Sequence, residues 1–175
     1  MSNFDKILDL VLEHEGGFVD HPADRGGATN KGITLRTLQR HKMNATVEDL
    51  QNITTDLISR IYFNDYYKAA RCDELHPAVA YIVFDMAVNS GVRNAIMMLQ
   101  SAVRTTVDGI FGINTLRAYM NADIKTCIDR MLQYRVNFFL NLAKRDISQN
   151  VFLRGWINRL LKLQADVYEN FRYTF

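Results

Sequence analysis

The chain reads as a mainly α-helical protein with one irregular, glycine-rich excursion after its first helix. Three observations carry this reading. Phe4, Ile7, Leu8, Val11 and Leu12 recur at helical spacing near the start. Turn-forming residues then crowd between Gly16 and Gly32. Helical patterning returns after Thr34 and persists through the remainder of the chain.

The first apolar face predicts a helix over residues 3 to 15, ended by Gly16 or Gly17, because glycine adopts the left-handed conformation after a C-cap at little steric cost. Residues 18 to 34 carry Asp20, Pro22, Asp24, Gly26, Gly27, Asn30 and Gly32, which is turn chemistry with a short hairpin around Thr29 to Thr34. Thr34 caps a short helix to about His41, and Thr46 with Asp49 resembles a capping box. Thr54 or Thr55 starts a helix to about Ala70. Pro77 suits a first helical position, and Gly91 closes the helix that begins there.

Helices are predicted over residues 92 to 104, 113 to 121, 123 to 145 and 149 to 172. In DGIFGINT, residues 108 to 115, Asp108 and Gly109 suit a turn, and Asn114 or Thr115 caps the helix that follows. Gly155 interrupts the helical stretch FLRGWINRLLKL at a cost of about 1 kcal/mol relative to alanine, which a close helix contact beside Trp156 would explain. The break near Gly91 has no Pro- or Ser-rich linker. Residues 1–91 and 92–175 are therefore expected to be two regions packed as one body.

Composition excludes several classes. With 48% hydrophobic and 23% charged residues, the chain can build a sizeable core without staples. No apolar run approaches the roughly 20 residues that span a bilayer. The start, MSNFDKILDLVLEHE, has four acidic residues and one lysine, unlike a signal peptide. Synthesis in the cytoplasm without a classical export signal is expected, with no stable membrane insertion. Cys72 and Cys127 read as buried free thiols, and no disulfide or metal is placed. Residues 1–90 hold nine Lys/Arg against thirteen Asp/Glu, a net of −4, and residues 91–175 hold twelve against six, a net of +6. The basic half, with Arg154, Arg159 and Lys162 along one stretch, can meet an anionic polymer or simply solvate the surface. Nothing in it reads as a nucleic-acid-binding signature, so no nucleic-acid partner is assigned.

Glu15 is the residue that invites chemistry. A carboxylate where a helix ends faces the negative end of the macrodipole, which favours the protonated form that a general acid needs. Glu13 lies about 200° away around the helix and reads as a surface charge. His14 and His21 flank EGG, but two histidines across a turn with no third ligand make a poor zinc site.

The ordered set EGGF at 15 to 18, Asp20, DRGGATNKGIT at 24 to 34, FDMAVNSG at 84 to 91, LQ at 99 to 100, DGIFGINT at 108 to 115 and GWINR at 155 to 159 resembles glycoside hydrolase family 108, the N-acetylmuramidases of phage endolysins and related bacterial proteins. The resemblance spans nearly the whole chain. It implies a lysozyme-like helical catalytic region over 1–91 and a helical peptidoglycan-binding region over 92–175, with no cofactor. It also implies that Glu15 is the catalytic acid. The family pattern has proline where Arg25 stands.

Glycosidases commonly pair a protonated acid with an ionised carboxylate. Asp20 and Asp24 are the acids that follow Glu15 in the loop; Asp24 in ADRGG suits a turn, Asp20 can equally cap a turn before Pro22, and of the two Asp20 is preferred as the second carboxylate. Thr29 and Thr34 offer hydroxyls to hold the attacking water or a sugar. Asp85 and Asn89 form a polar stripe on an otherwise apolar helix. They either line the cleft or, as preferred, satisfy the backbone of the glycine-rich loop.

The expected activity is hydrolysis of the β-1,4 bond between N-acetylmuramic acid and N-acetylglucosamine in peptidoglycan. The competing readings are a lytic transglycosylase, a non-catalytic wall-binding protein and a basic helical nucleic-acid binder. A monomer is expected, reaching the cell wall or periplasm through a holin lesion or a secretion route.

Overall fold

The computed structural model describes residues 2–20 and 27–171. The chain divides into two compact units, Met1–Tyr66 and Tyr67–Phe175.

In the first unit, α1 (Asn3–Leu12) opens with a capping box in which the Ser2 hydroxyl accepts from the Asp5 amide and the Asp5 carboxylate accepts from the Ser2 amide. It buries Phe4, Ile7, Leu8, Leu10 and Val11, each such side chain stabilising the unit by roughly 1.5–3 kcal/mol. The helix stops earlier than its periodicity predicts. Glu13 is the C-cap, and the His14 and Glu15 amides turn back to the Val11 and Leu12 carbonyls at 3.0 and 3.2 Å. Neither Gly16 nor Gly17 is left-handed, so tight turns of the preceding residues end this helix, not a glycine cap.

The expected hairpin is present as β1 (Thr29–Asn30) and β2 (Ile33–Thr34), antiparallel with Thr29 opposite Thr34 and Asn30 opposite Ile33. Its two-residue turn, Lys31 and Gly32, has φ of 46° and 74°, the positive pair a tight hairpin turn requires. Val19 exchanges both backbone hydrogen bonds with Thr29 at 2.8 Å, extending the ladder by one bridge. Buried Asn30 donates from Nδ2 to the carbonyls of Leu50 and Gln51, at 2.9 and 3.2 Å.

Three short helices follow: α2 (Leu35–His41), capped by Thr34; α3 (Val47–Gln51), capped by the Thr46–Asp49 box; and α4 (Thr55–Tyr62), capped by Thr54. The helix predicted to run on to Ala70 changes pitch after Tyr62 into a π-helical turn, Phe63–Lys68. Phe63 meets Phe4 of α1 edge-on at 5.0 Å.

The second unit is built around α5 (Pro77–Ser90), buried without interruption from Ala78 to Ala87 as a helix that is apolar nearly all round must be. The later helices are α6 (Val92–Ala102), α7 (Ile113–Met120), α8 (Ile124–Arg145) and α9 (Asn150–Phe171). Helix α5 packs on α6, α8 and α9, and α8 also packs on α6 and α9. Cys72 and Cys127 are buried free thiols, as expected. Burial pushes the Cys127 thiol up to about 12, so it stays protonated and unreactive.

Several sequence expectations change here. Among the described residues, Asp85 neither lines a cleft nor hydrogen-bonds the glycine-rich loop. It is fully buried and bridges two cations, accepting from Arg135 Nη1 at 2.6 Å on one oxygen and from Arg159 Nε at 3.0 Å on the other. Arg159 thus belongs to this buried pairing and not to a wall-facing basic stripe. A Cβ on Gly155 would meet nothing within 4 Å, so no close helix contact explains that glycine. Helices α8 and α9 instead join where Trp156 stacks on Phe139 at 5.0 Å.

The DGIFGINT turn is organised from outside by buried Gln100. Its Oε1 accepts from the Asp108 and Gly109 amides, and its Nε2 lies within hydrogen-bonding distance of Asp108 Oδ1, the Ile110 carbonyl and Thr115 Oγ1. Thr115 is therefore a buried partner of Gln100. Gly112 holds the N-cap of α7, without a side-chain cap.

The Asp85 cluster yields a stability prediction. Burial pushes the Asp85 carboxyl up, but Arg135 and Arg159 together hold it below its ordinary value. Among the described residues, Arg135 Nε and Nη2 have no hydrogen-bond partner, so Asp85 carries most of the compensation for that buried cation. Asp85→Asn leaves the cations uncompensated and should cost about 3–5 kcal/mol, measured by urea unfolding near neutral pH. A lowered carboxyl stabilises above its unfolded value, near 3.9, and loses that contribution as pH falls through the folded value. The gap between parent and variant should narrow below about pH 4.

Candidate active site

Glu15 sits half-buried in the turn that follows α1. The tip of the β1–β2 hairpin passes directly beside it. A Cβ on Gly32 would lie 2.7 Å from Glu15 Oε2 and 2.5 Å from the Tyr62 hydroxyl, so the carboxylate and the phenol converge over this one glycine. Gly32 is also left-handed, at φ 74°, and any side chain would be both strained and in collision. Tyr62 is buried and donates to the Lys31 carbonyl at 2.8 Å, which fixes its hydroxyl against the hairpin turn.

One helical turn on, Tyr66 lies with its ring 5.5 Å from that of Tyr62. Burial raises the Tyr66 phenol, the charges of Asp65 and Glu15 add to the effect and Arg40 opposes it, so the hydroxyl stays neutral. Tyr66 lines an open cleft of about 560 Å³ with Arg40, His41 and Asp65. His41 Nε2 lies 3.0 Å from both Asp65 oxygens, and Arg40 Nη2 donates to Asp65 at 3.2 Å. The first unit thus presents a carboxyl group, two phenols, an aromatic face and an Arg40–Asp65–His41 cluster, a set able to move a proton and to bind a polyhydroxylated ligand.

The other sequence candidates fall differently. Asp20 follows the Val19–Thr29 bridge and is exposed. Thr29 and Thr34 oppose each other across the hairpin. The Thr29 hydroxyl donates to the Gly27 carbonyl at 3.3 Å, whereas Thr34 Oγ1 caps α2 by accepting from the Thr37 amide at 3.1 Å. Asp24 lies outside the described residues. Asn89 is on α5 in the second unit, where its Oδ1 accepts from the Ser90 hydroxyl at 3.0 Å. Among the described residues, no three His, Cys, Asp or Glu side chains converge as metal ligands.

Sequence reasoning missed Tyr62, Tyr66, Asp65, His41 and Arg40. The i, i+4 spacing of Tyr62 and Tyr66 was the available signal, and it reads equally as an ordinary core stripe.

Comparison with known proteins matches the description Glycosyl hydrolase 108 to residues 8–91 and Predicted Peptidoglycan domain to residues 94–161. No curated protein sequence matches the chain. A solved structure, titled Structure of Brucella abortus SagA, is 30% identical, with 98% of this chain and 97% of that chain covered and a TM-score of 0.84. These matches fit the mainly helical, lysozyme-like fold with its small hairpin. The chain belongs to the glycosyl hydrolase 108 family and is a glycosidase that hydrolyses peptidoglycan.

Proposed function

We propose that the chain is an N-acetylmuramidase that cleaves the β-1,4 bond between N-acetylmuramic acid and N-acetylglucosamine, with Glu15 as general acid. The observation that carries this reading is the convergence of Glu15 and the Tyr62 hydroxyl over Gly32, beside the cleft lined by Tyr66. Glu15 gives its proton to the glycosidic oxygen as the bond to the muramic acid C1 breaks, and the departing glucosamine keeps that proton on its 4-hydroxyl. Positive charge develops at C1. Water adds there and loses a proton to a second carboxylate, the role assigned to Asp20, leaving a reducing muramic acid end.

Thr29, on the hairpin face, positions the water. Thr34 is better suited to supporting it from the α2 cap, since its oxygen already accepts a backbone hydrogen bond. Asp24 and Asn89 are assigned to substrate binding. The Tyr66 face with Arg40, His41 and Asp65 extends the sugar-binding surface. Residues 1–91 form the catalytic region and 92–175 the wall-binding region of a monomer that acts at the wall after release through a holin or secretion route.

Mass spectrometry of digested walls tests the reaction directly: hydrolysis leaves reducing muramic acid ends, and anhydro ends would identify a transglycosylase instead. Glu15→Gln keeps the shape and removes the transferable proton, so wall lysis should fall about 10²–10⁴-fold with an unchanged helical circular dichroism spectrum. Substantial lysis by the folded variant would sink the assignment. Asp20→Asn should lower turnover while leaving the urea midpoint in place, and parental turnover would relegate Asp20 to the scaffold. Gly32→Ala drives a methyl group into Glu15 and Tyr62 and should abolish most lysis, whereas parental kcat would show that the three groups do not act together.

A further inference from the structure

The second unit holds a groove of about 330 Å³ between α6 and α8, distant in sequence from Glu15 and at the low end of the roughly 300–1,000 Å³ of small-ligand sites. Its lining comes from Asn94 and Met97 on α6 and from Tyr134, Asn137, Phe138 and Asn141 on α8, closed at one end by Leu142 and Arg145. Two rows on α8 make this surface. Tyr134 and Phe138 are four residues apart with rings stacked at 6.5 Å and 17°, a flat apolar strip. Asn137, Asn141 and Arg145 repeat at the same spacing on the adjoining ridge, all exposed. Among the described residues these three side chains have no hydrogen-bond or ion-pair partner. Opposite them, Asn94 is held by a 2.7 Å bond from Nδ2 to the Ser90 carbonyl, which leaves its Oδ1 as an acceptor.

We infer that this groove is a second glycan site, separate from the Glu15 cleft, that binds a peptidoglycan disaccharide together with the carboxylate-bearing peptide on its muramic acid. The chemistry matches part by part. A pyranose presents C–H faces to stacked aromatics, its hydroxyl and acetamido groups pair with side-chain amides that both donate and accept, and a guanidinium takes a carboxylate bidentately. Met97 and Leu142 suit the acetamido and lactyl methyl groups. All eight lining residues fall within the stretch that matches the Predicted Peptidoglycan domain. Arg145 is the single cation among them, too little positive charge for a nucleic-acid backbone. The inference rests on peptidoglycan being the substrate but not on Glu15 being the acid.

The test is a titration of the full-length ¹⁵N-labelled protein with soluble N-acetylglucosaminyl-N-acetylmuramyl tripeptide. This disaccharide contains no muramic acid to glucosamine bond for a muramidase to cut, so binding is read without turnover. The side-chain amide resonances of Asn137 and Asn141 should shift. Arg145→Ala and Asn141→Ala should each weaken binding about tenfold or more, and Lys144→Ala, an exposed neighbour outside the groove, should change it less than about twofold. N,N′-diacetylchitobiose, which carries neither a lactyl nor a peptide carboxylate, should bind the parent weakly and be insensitive to Arg145→Ala. Unmoved Asn137 and Asn141 resonances, shifts confined to residues around Glu15, or equal losses from Lys144→Ala and Arg145→Ala would each overturn the site. Failure of Glu15→Gln to stop wall lysis would overturn the acid assignment and leave this result standing.

Discussion

The approach of one backbone segment to one carboxylate governs the candidate active site. The hairpin turn at Lys31–Gly32 must come close enough for its carbonyl to hold the Tyr62 hydroxyl and for Gly32 to underlie Glu15. Only glycine tolerates both the positive φ and the absence of space for a Cβ. Other features of the first unit serve this approach. Asn30 anchors the hairpin to the end of α3, Thr34 starts α2 where β2 stops, and Phe4 against Phe63 joins the first helix to the end of the helix that supplies Tyr62. The position of the Glu15 carboxylate, for which the proposed acid role needs placement within about an ångström, is thus distributed over several packing and backbone contacts.

The second unit solves a different problem, holding long amphipathic helices against a central helix that is buried all round. Apolar packing alone leaves rotation and sliding weakly specified. Asp85 removes that freedom by tying α5 to α8 through Arg135 and to α9 through Arg159. Tyr81, one turn earlier on α5, donates to Asp166 on α9 at 2.8 Å and adds a second fixed point. Buried ion pairs of this kind contribute little net stability over apolar replacements, but removing one partner is costly, so their value lies in register. Gln100 acts likewise on the 108–115 turn, satisfying backbone groups that would otherwise be buried without partners.

What could be read from the sequence was whatever is decided locally. The α1 apolar face, the Thr34 and Thr46 caps, the Pro77 start of α5 and the hairpin at Thr29–Thr34 each depend on residues within a few positions of one another. The misreadings share the opposite property. Asp85 lies 50 and 74 residues from the arginines that explain it, so its position beside Asn89 on a helical face was the only visible clue, and it pointed elsewhere. Tyr62 reaches Lys31 across 31 residues, and nothing in the stretch IYFNDYYK distinguishes a phenol set beside the Glu15 carboxylate from one filling a core. The change to π-helical pitch after Tyr62 was equally invisible, because helix propensity does not record where an extra residue is taken up. Glu15 is singled out by the EGG pattern, while the reason first offered for it, a helix ending at that residue, is weakened by a helix that ends at Leu12.

The charge pattern takes on a sharper meaning once the units are known. Residues 1–66 carry seven Lys/Arg and ten Asp/Glu, a net of −3, and residues 67–175 carry fourteen against nine, a net of +5. Part of that positive charge is internal, since Arg135 is fully buried and Arg159 nearly so, both turned on Asp85. A polymer bearing peptide carboxylates is therefore repelled at long range by the unit that holds Glu15 and attracted, less strongly than a bare count implies, by the other. Within a Debye length of about 8 Å at physiological salt, neither field can select a particular sugar. In the two proposed sites, selection comes from short-range contacts: the Glu15 and Tyr66 surface in one unit, and the asparagine and aromatic rows of the α6–α8 groove in the other. Under the proposed division of labour, electrostatics brings the positive unit to the wall, and hydrogen bonds and ring faces determine which part of the glycan each unit holds.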